Sequence, residues 1–312
     1  MRKLKNRGII IAVCSKNDEI RAKEPFERNP EMILRLNDIA VFMANWENKV
    51  NNIRAIQGIL NIGFDSMVFL DDNPFERNMV REHISDLTVP ELPKDPAEYL
   101  EYLYSLNLFE TASYSGADAD RTRQYQIEVQ RASLQKNFIN EADFLKSLSM
   151  VSEVRGFDPF NTPRVAQLSQ RSNQFNLRTV RYTEADVVRI GQDESYAVFS
   201  FTLVDKFGDN GLVCVVILEK RDAGTLFIDT WFMSCRVLKR GMESFTLNTI
   251  VEWAAEHGFL RIVGEYLPTA KNKMVEGHYS RLGFSPIVGV STNQFELYVN
   301  AYKKLECYIT KK

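Results

Sequence analysis

The spacing of apolar and polar residues changes along the chain, and its first region alternates between strand-like and helix-like patterns. Between Arg7 and about Leu92, two apolar runs read as buried strands, Gly8–Val13 and Val68–Leu70. The stretch between them carries apolar residues at helical spacing, namely Val50, Ile53, Ile56, Ile59 and Leu60. Strands that alternate with helices favour a doubly wound parallel sheet. We therefore predict a partial α/β unit in this region.

The middle of the chain is predicted to be helical. A short amphipathic helix is expected at Pro96–Leu106, and a polar helix is expected at Arg121–Lys136 behind the capping stretch Ala117–Asp120. Charged residues at its start face either a site or solvent, and a run of charges usually forms a solvated helix face. We interpret this part as a connector between two domains.

Beyond Met150 the pattern changes to that of an α+β domain. We predict a helix at Thr162–Phe175, several strands between Ser195 and Cys235, a further helix, a strand at Phe259–Glu265 and a terminal helix and strand. Asn161 and Pro163 fit the start of the first of these helices. The expected domains are residues 1–112, 113–150 and 151–312.

Composition narrows the range of function classes. The 312 residues are 45% hydrophobic and 26% charged, with a net charge of −2. These values are ordinary for a soluble protein with room for two cores. Because the charge supplies no basic field, nucleic-acid binding is not expected. No apolar run approaches the roughly 18 residues of a membrane span, so no membrane partner is expected either.

Four cysteines are scattered along the chain, and no two of them form a Cys-x-x-Cys motif. They are Cys14, Cys214, Cys235 and Cys307, mostly in apolar, strand-like surroundings. Scattered thiols of this kind indicate reduced, mainly buried side chains and predict a cytoplasmic location.

Two adjacent carboxylates, Asp71 and Asp72, follow the apolar run Val68–Leu70 directly. Mg²⁺ prefers oxygen ligands and usually takes one or two carboxylates, with water and substrate phosphate completing its shell. In open α/β sheets such chemistry lies at the carboxyl ends of the strands. The pair is therefore a candidate Mg²⁺ site, and the alternative is a solvated turn or helix cap.

Three further side chains are candidates for the same edge of the sheet. Ser15 and Asn17 follow the first apolar run and carry groups that bind phosphate oxygens. Lys49 opens the predicted helix, where its ammonium would neutralise charge between phosphate and carboxylates. Together these residues predict a phosphate site beside a metal.

The stretches Cys14–Asn17, Asn45–Lys49 and Val68–Arg77 together resemble motifs two, three and four of the haloacid dehalogenase (HAD) superfamily, and in particular its FkbH-type branch. The resemblance implies a HAD-like (Rossmannoid) parallel-sheet domain that binds Mg²⁺ through Asp71 and Asp72. It also implies phosphate binding by Ser15 and Lys49, with Asn17 assisting.

The chain departs from HAD enzymes at its start. Those enzymes carry a nucleophilic Asp and an acid-base Asp, as Asp-x-Asp-x-Thr, on the preceding strand, whereas Met1–Arg7 reads as the end of a helix. Either the sequence is a fragment or the protein cannot run the covalent step. We expect a fragment, because a sheet without its central strand would expose apolar faces.

A second constellation lies where the strand-like run Thr225–Cys235 leads through a basic loop into a helix. A loop with arginine and glycine that feeds a helix N-terminus can bind an anion, although it can also be an ordinary connection. The loop residues are Arg236, Lys239, Arg240 and Gly241, with Asn272 and Tyr279 further along the chain.

This order resembles the general N-acetyltransferase superfamily (GNAT), in which an Arg/Gln-x-x-Gly-x-Gly/Ala loop binds the pyrophosphate of coenzyme A. Here Lys239 stands in place of the first glycine. It would either block close approach of the pyrophosphate or add positive charge. By the same resemblance, Tyr279 is a candidate general acid that protonates a leaving thiolate. The alternative is that Tyr279 packs the last helix against the sheet.

FkbH-type proteins are known for a GNAT-like C-terminal region, so both resemblances indicate one family and an α/β fold with a GNAT-like α+β domain. The resemblance implies loading of a glyceryl group from 1,3-bisphosphoglycerate onto an acyl carrier protein, with loss of phosphate. The implied partners are therefore a phosphorylated three-carbon metabolite and an acyl carrier protein. CoA or carrier phosphopantetheine would be the second cofactor.

Three other functions stay open. The first is a plain HAD phosphatase acting on a small phosphorylated metabolite, and the second is a non-catalytic binding module in polysaccharide or polyketide biosynthesis. The third is an N-acyltransferase that uses acetyl-CoA. Cys14, beside Ser15, is a candidate acyl-carrying thiol, although a small core residue at a strand end is the alternative.

Overall fold

Two regions of the chain fold as separate units in the computed structural model, which describes residues 1–110, 121–287 and 293–312. The units are Met1–Asn137 and Phe138–Lys312. The predicted cap Ala117–Asp120 lies outside the described residues. The predicted boundaries at residues 112 and 150 stay predictions.

The first unit contains a short parallel sheet. Strand β1 (Ala12–Ser15) pairs in parallel with β2 (Val41–Ala44), with Ser15 opposite Ala44. The helices described in this unit are α1 (Arg2–Asn6), α2 (Glu19–Arg28), α3 (Lys49–Leu60), α4 (Pro74–His83), α5 (Tyr99–Ser105) and α6 (Arg121–Gln135). The partial α/β class is therefore confirmed, although β2, which supplies the second strand of this sheet, was not predicted.

Two strand predictions need correction. The first strand begins at Ala12 rather than Gly8, because helix α1 has just ended and Gly8 takes a left-handed φ of 81°. The run Val68–Leu70 is not a regular strand and forms a single parallel bridge from Val68 to Thr88. Only a few residues separate the preceding 3-10 turn, Phe64–Ser66, from Asp71, so there is little length for a ladder.

Helix α3 lies between two apolar clusters of the first unit. On one side Val50 and Ile53 pack with Phe69 and Val80, and on the other side Ile56 and Leu60 pack with residues of β2. Asn48 caps the helix by accepting a hydrogen bond from the Asn51 amide, which is the usual role of Asn before a first turn. The packed helix holds its first residue, Lys49, in a fixed and buried position.

The second unit is built on a mixed sheet with helices packed on it. Its described strands are β3 (Met150–Ser152), β4 (Val154–Arg155), β5 (Tyr196–Asp205), β6 (Gly208–Lys220), β7 (Thr225–Met233), β8 (Arg261–Glu265), β9 (Ser285–Pro286), β10 (Gln294–Tyr298) and β11 (Ile309–Lys311). The strands run in the order β11-β3-β5-β6-β7-β8-β10-β9, and β4 pairs with β5. Strands β5, β6 and β7 are antiparallel, whereas β7 and β8 are parallel.

Beyond Met150 the described part of the second unit contains the three helices that the sequence predicts and a further one, Glu184–Gln192, that it does not predict. The described helices of the whole unit are α7 (Glu141–Ser147), α8 (Thr162–Arg171), α9 (Glu184–Gln192), α10 (Met242–Glu256) and α11 (His278–Arg281). Helix α8 starts where Asn161 and Pro163 predict and ends before Phe175. The predicted fold class, a parallel-sheet α/β unit followed by an α+β unit, is confirmed. Across the described ranges, no helix is long and apolar enough to cross a membrane.

Candidate phosphate and metal site

The Lys49 ammonium joins the ends of two chain segments in the first unit. Its Nζ donates to Asp71 Oδ2 at 2.7 Å and to the backbone carbonyl of Cys14 at 2.9 Å. The Lys49 and Asp71 side chains are only 10% and 8% exposed, so the ion pair is screened little by water. The structure therefore brings Lys49, Asp71 and the end of β1 together, as the sequence predicts.

The Asp71 loop is held by hydrogen bonds to its backbone and to its second carboxylate oxygen. The Asn73 amide donates to Asp71 Oδ1 at 2.9 Å. Arg77 donates from one guanidinium nitrogen to the carbonyls of Asp71 (2.8 Å) and Asp72 (3.0 Å), and it pairs with Glu91. These contacts fix the direction in which the carboxylates leave the backbone.

The donor set of this loop fits a hard dication. A carboxylate offers about four lone-pair positions, and two of those of Asp71 have partners, so the group can still accept a metal ion. Asp72 is exposed and its carboxylate is accessible. Two carboxylates, with water and phosphate, are the ligands that Mg²⁺ usually takes. No group of three or more His, Cys, Asp or Glu side chains suited to a metal occurs in the described part of the chain.

Ser15 and Asn17 lie at the end of β1, and among the described residues their side chains form no hydrogen bond with Lys49 or Asp71. Ser15 ends β1, and its carbonyl accepts a hydrogen bond from the Asn45 amide at 3.1 Å. Asn17 uses its side-chain oxygen to accept from the Asp18 amide at 2.8 Å. Both residues are half-buried, so each is available to a ligand at the end of β1.

The Cys14 thiol is half-buried beside the same charges. Burial raises its pKa to about 11, and this effect outweighs the opposing influence of the Lys49 ammonium. A thiol is nucleophilic as its thiolate, so a raised pKa is the opposite of what an acyl-carrying cysteine needs at neutral pH. The role of Cys14 stays a prediction, and its surroundings are those of a core residue.

The sequence reasoning missed a second ion pair next to this site. Lys16 Nζ contacts Glu76 Oε1 at 2.7 Å, and Glu76 lies in the first turn of α4. Both Glu76 and the loop-bracing Arg77 belong to the stretch Val68–Arg77, which served only as part of a family resemblance. The sequence carries no local signal for this pair, because Lys16 and Glu76 belong to different segments of the chain.

In the second unit, the basic loop keeps an unusual backbone conformation. Lys239 has a φ of 62° and Gly241 a φ of 76°, both left-handed. Glycine takes this conformation without cost, whereas lysine is strained by it. Alternating left-handed residues can direct backbone N–H groups towards an anion. The loop therefore has a glycine-like backbone at Lys239, and its role in binding an anion stays a prediction.

Arg240 and Asn272 are committed to contacts within the fold. Arg240 is buried, pairs with Asp205 at 3.3 Å and donates to the Arg236 carbonyl at 2.6 Å. Asn272 is fully buried, and its side-chain amide donates to the carbonyls of Asn176 (3.0 Å) and Leu267 (2.9 Å). The contacts of these two side chains brace loops, and a ligand role for either of them stays a prediction.

Tyr279 is also buried, in an aromatic cluster on β8. Its ring packs on the backbone of Gly264, where an added Cβ would come within 2.3 Å of the ring. The ring centroids of Phe284 and Phe295 lie 5.0 and 5.5 Å away. Burial raises the pKa of the Tyr279 phenol above its ordinary value. These contacts match the packing alternative, and the general-acid role stays a prediction.

The chain itself fills the space where β7 and β8 diverge. Strands β7 and β8 pair only over Thr225–Phe227 of β7. Beyond Phe227, the segment Phe175–Leu177 pairs with β7 in place of β8. The Leu177 amide donates to the Trp231 carbonyl (3.2 Å), and the Met233 amide donates to the Phe175 carbonyl (3.1 Å). On the other side of the segment, the Leu267 amide donates to the Leu177 carbonyl (2.9 Å). An extended ligand arm at this edge would find these β7 groups already paired.

No family model matches the chain, and no match is found among curated proteins. Among solved structures, one is described as the N-terminal part of the protein BF1531 from Bacteroides fragilis, containing a phosphatase domain complexed with Mg. It is 80% identical over 36% of this chain and 30% of its own, with a TM-score of 0.36. The chain thus matches about 30% of that protein's length.

Acetyltransferases are also among the similar structures. The ribosomal-protein-S18-alanine N-acetyltransferase from Escherichia coli is 14% identical over 48% of this chain and 94% of its own, with a TM-score of 0.36. A GNAT family N-acetyltransferase (YhbS) from Escherichia coli, in complex with CoA, is 14% identical over 49% of this chain and 82% of its own, with a TM-score of 0.35.

Proposed function

We propose that the first unit carries a Mg²⁺-dependent phosphoryl-transfer site. The observation that carries the proposal is the Lys49 ammonium, which is buried between the Asp71 carboxylate (2.7 Å) and the Cys14 carbonyl (2.9 Å), directly before Ser15. A buried ammonium has three N–H donors, and two of them have acceptors among the described residues. The third is available to a phosphate oxygen.

Some residues of this site would bind the metal ion, and the others would bind phosphate. Asp71 and Asp72 would hold Mg²⁺, which supplies positive charge and polarises a phosphoryl oxygen when bound. Lys49 is already neutralised by Asp71, so a phosphate dianion requires that additional positive charge. The Ser15 hydroxyl and the Asn17 amide would donate to the remaining phosphate oxygens.

The 80% identity to a protein described as containing a phosphatase domain complexed with Mg supports this proposal through sequence. It favours a plain phosphatase acting on a small phosphorylated metabolite as one form of the reaction. The resemblance to FkbH-type proteins supports the other form, the loading of a glyceryl group from 1,3-bisphosphoglycerate onto an acyl carrier protein. In both forms the same five side chains would bind Mg²⁺ and phosphate.

For the second unit we propose an anion-binding loop at Arg236–Gly241, for the phosphate groups of CoA or of a carrier's phosphopantetheine. The left-handed backbone at Lys239 and Gly241 supports it. The occupied edge of β7 weighs against an extended pantetheine arm between β7 and β8, whether it belongs to CoA or to a carrier, and so against acyl transfer at that edge.

The first test is binding, because it does not depend on which form of the reaction is correct. Calorimetric titration of orthophosphate into the chain should show binding with Mg²⁺ and none with EDTA. Asp71→Asn should abolish Mg²⁺-dependent binding, whereas Asp86→Asn, a change at an exposed carboxylate, should leave it intact. Equal binding with and without Mg²⁺ would contradict the proposal.

The second test separates the two forms. A candidate acyl carrier protein is incubated with Mg²⁺, 1,3-bisphosphoglycerate and the protein, and the intact mass of the carrier protein is measured. A glyceryl mass shift that Asp71→Asn abolishes supports carrier loading. Phosphate release without a shift supports the phosphatase. If neither the mass shift nor phosphate release is observed, the result favours a non-catalytic binding module.

A further inference from the structure

The Lys16–Glu76 ion pair has a buried and an exposed half. Glu76 is 7% exposed, and the Lys16 side chain is 33% exposed. Lys16 follows Ser15 directly, and Glu76 lies in the helix that begins just after Asp72. Both residues, with Lys49 and Asp71, lie close enough to Cys14 to influence the pKa of its thiol. The pair is therefore a neighbour of the proposed phosphate and metal site.

The pair has hydrogen-bonding capacity that the described residues do not use. Glu76 Oε2 is buried and has no hydrogen-bond partner in the described structure. A carboxylate oxygen buried without a partner is costly, so a hydrogen-bond donor at this position, from water or from a ligand, would stabilise it. Lys16 uses one of its three N–H donors for Glu76 Oε1.

The charge of the pair limits the kind of group that fits. A second anion on the substrate would meet the buried Glu76 carboxylate as well as the ammonium, and like charges repel. A hydroxyl group both donates and accepts, so it can donate to Glu76 Oε2 and accept from Lys16 at once. The free donors and the free acceptor thus match a neutral hydroxyl better than a second phosphate.

We propose that Lys16 and Glu76 bind a hydroxyl group of the phosphorylated substrate, so that the site takes a hydroxylated, polyol-type phosphate. The inference rests on the proposed phosphate and metal site, whose residues would hold the phosphate of the same ligand. Lys16 is the group that a ligand meets first, because it is the exposed half of the pair. Glu76 then selects for the hydroxyl.

The test uses two ligands that differ only in hydroxyl groups, glycerol 3-phosphate and propyl phosphate. Each is titrated calorimetrically into the full chain with Mg²⁺. We expect glycerol 3-phosphate to bind about tenfold more tightly, the usual effect of a hydrogen bond to a charged group. Lys16→Met and Glu76→Gln should each bring the ratio close to one while propyl phosphate still binds.

Lys23→Met is the matched control. Lys23 is 32% exposed and pairs with Glu19 on α2, so the change removes an ion pair of similar exposure elsewhere. The affinity ratio should not change in this variant. Because Lys16 is partly exposed, Lys16→Met tests the inference even if the buried change at Glu76 impairs folding.

The outcomes separate this inference from the proposed function. Equal binding of both ligands by the wild type would overturn the inference and leave the phosphate site standing. A preference that survives in Lys16→Met would also overturn it. If neither ligand binds the wild type, the proposed phosphate site fails and the inference fails with it.

Discussion

The Lys49 ammonium and the Asp71 carboxylate meet at 2.7 Å in a pocket that leaves each about one-tenth exposed. Removing one partner of such a pair leaves a buried charge without compensation, which costs far more than the pair contributes. This asymmetry gives a stability test that does not require a known substrate.

Asp71→Ala should destabilise the first unit by about 3 to 5 kcal/mol, because Lys49 stays buried without its carboxylate. The measurement is amide hydrogen exchange in α3, whose protection should fall. The double variant Lys49→Met, Asp71→Leu should lose less stability than Asp71→Ala, since no unpaired charge remains. Glu24→Ala breaks an exposed pair with Arg28 and should cost less than about 0.5 kcal/mol. Equal losses in Asp71→Ala and Glu24→Ala would contradict the buried-pair account.

Cys14 should react slowly with thiol reagents at neutral pH. With a pKa raised to about 11 by burial, its thiolate fraction at pH 8 is about a hundredfold below that of an ordinary thiol. Iodoacetamide labelling followed by peptide mapping should show a rate that rises steadily from pH 8 to pH 11. Cys14→Ala should leave any acyl loading intact, and loss of loading in a folded Cys14→Ala protein would restore the acyl-carrying role.

The second unit should lose stability as the pH falls. His278 is buried against Trp231 and Phe175, and burial lowers its pKa to about 3. A depressed pKa means that the unfolded chain binds the proton more readily, so the stability is present above about pH 6.5 and is lost towards pH 3. Thermal unfolding between pH 7 and pH 4 should show this loss. His278→Phe should reduce it, whereas His257→Phe, at an exposed position, should not.

Gly264→Ala should disrupt the second unit. The new Cβ would lie 2.3 Å from the Tyr279 ring, which is buried and cannot move away without breaking its aromatic contacts. We expect a loss of several kcal/mol, at or above the roughly 1 to 3 kcal/mol usual for overpacking. Gly156→Ala, where nothing lies within 4 Å, is the control in urea unfolding. Similar midpoints for the two variants would show that Tyr279 is not held against β8.

Lys239→Gly should stabilise the second unit by about 1 kcal/mol, because glycine takes the left-handed φ of 62° without strain. Lys239→Val should destabilise it, since β-branched residues tolerate that conformation least. The measurement is urea unfolding followed by tryptophan fluorescence in a Trp46→Phe background, which confines the signal to Trp231 and Trp253. A destabilised Lys239→Gly would indicate that the lysine side chain makes a compensating contact.

The sequence predicts those parts of the site that depend on local order along the chain. Lys49 at a helix start and Asp71 after an apolar run are local features, and parallel packing brings such positions to one edge. The Lys16–Glu76 pair was missed because it joins residues from two segments, and a single sequence does not show which charged side chains face each other.

The second unit shows a different limit. Periodicity predicts that this unit mixes strands and helices, but it does not give the strand order, and the position of Phe175–Leu177 depends on how β7 and β8 diverge. The sequence predicts a helix that continues to Phe175, whereas the chain leaves the helix at Ser172 to bond with β7. Tertiary hydrogen bonding here outweighs local helical preference.

The segment Phe175–Leu177 also affects the tendency of the second unit to aggregate. The outer half of β7 would otherwise present unpaired backbone groups to any neighbouring chain. By covering that edge with its own backbone, the unit protects itself from edge-to-edge aggregation.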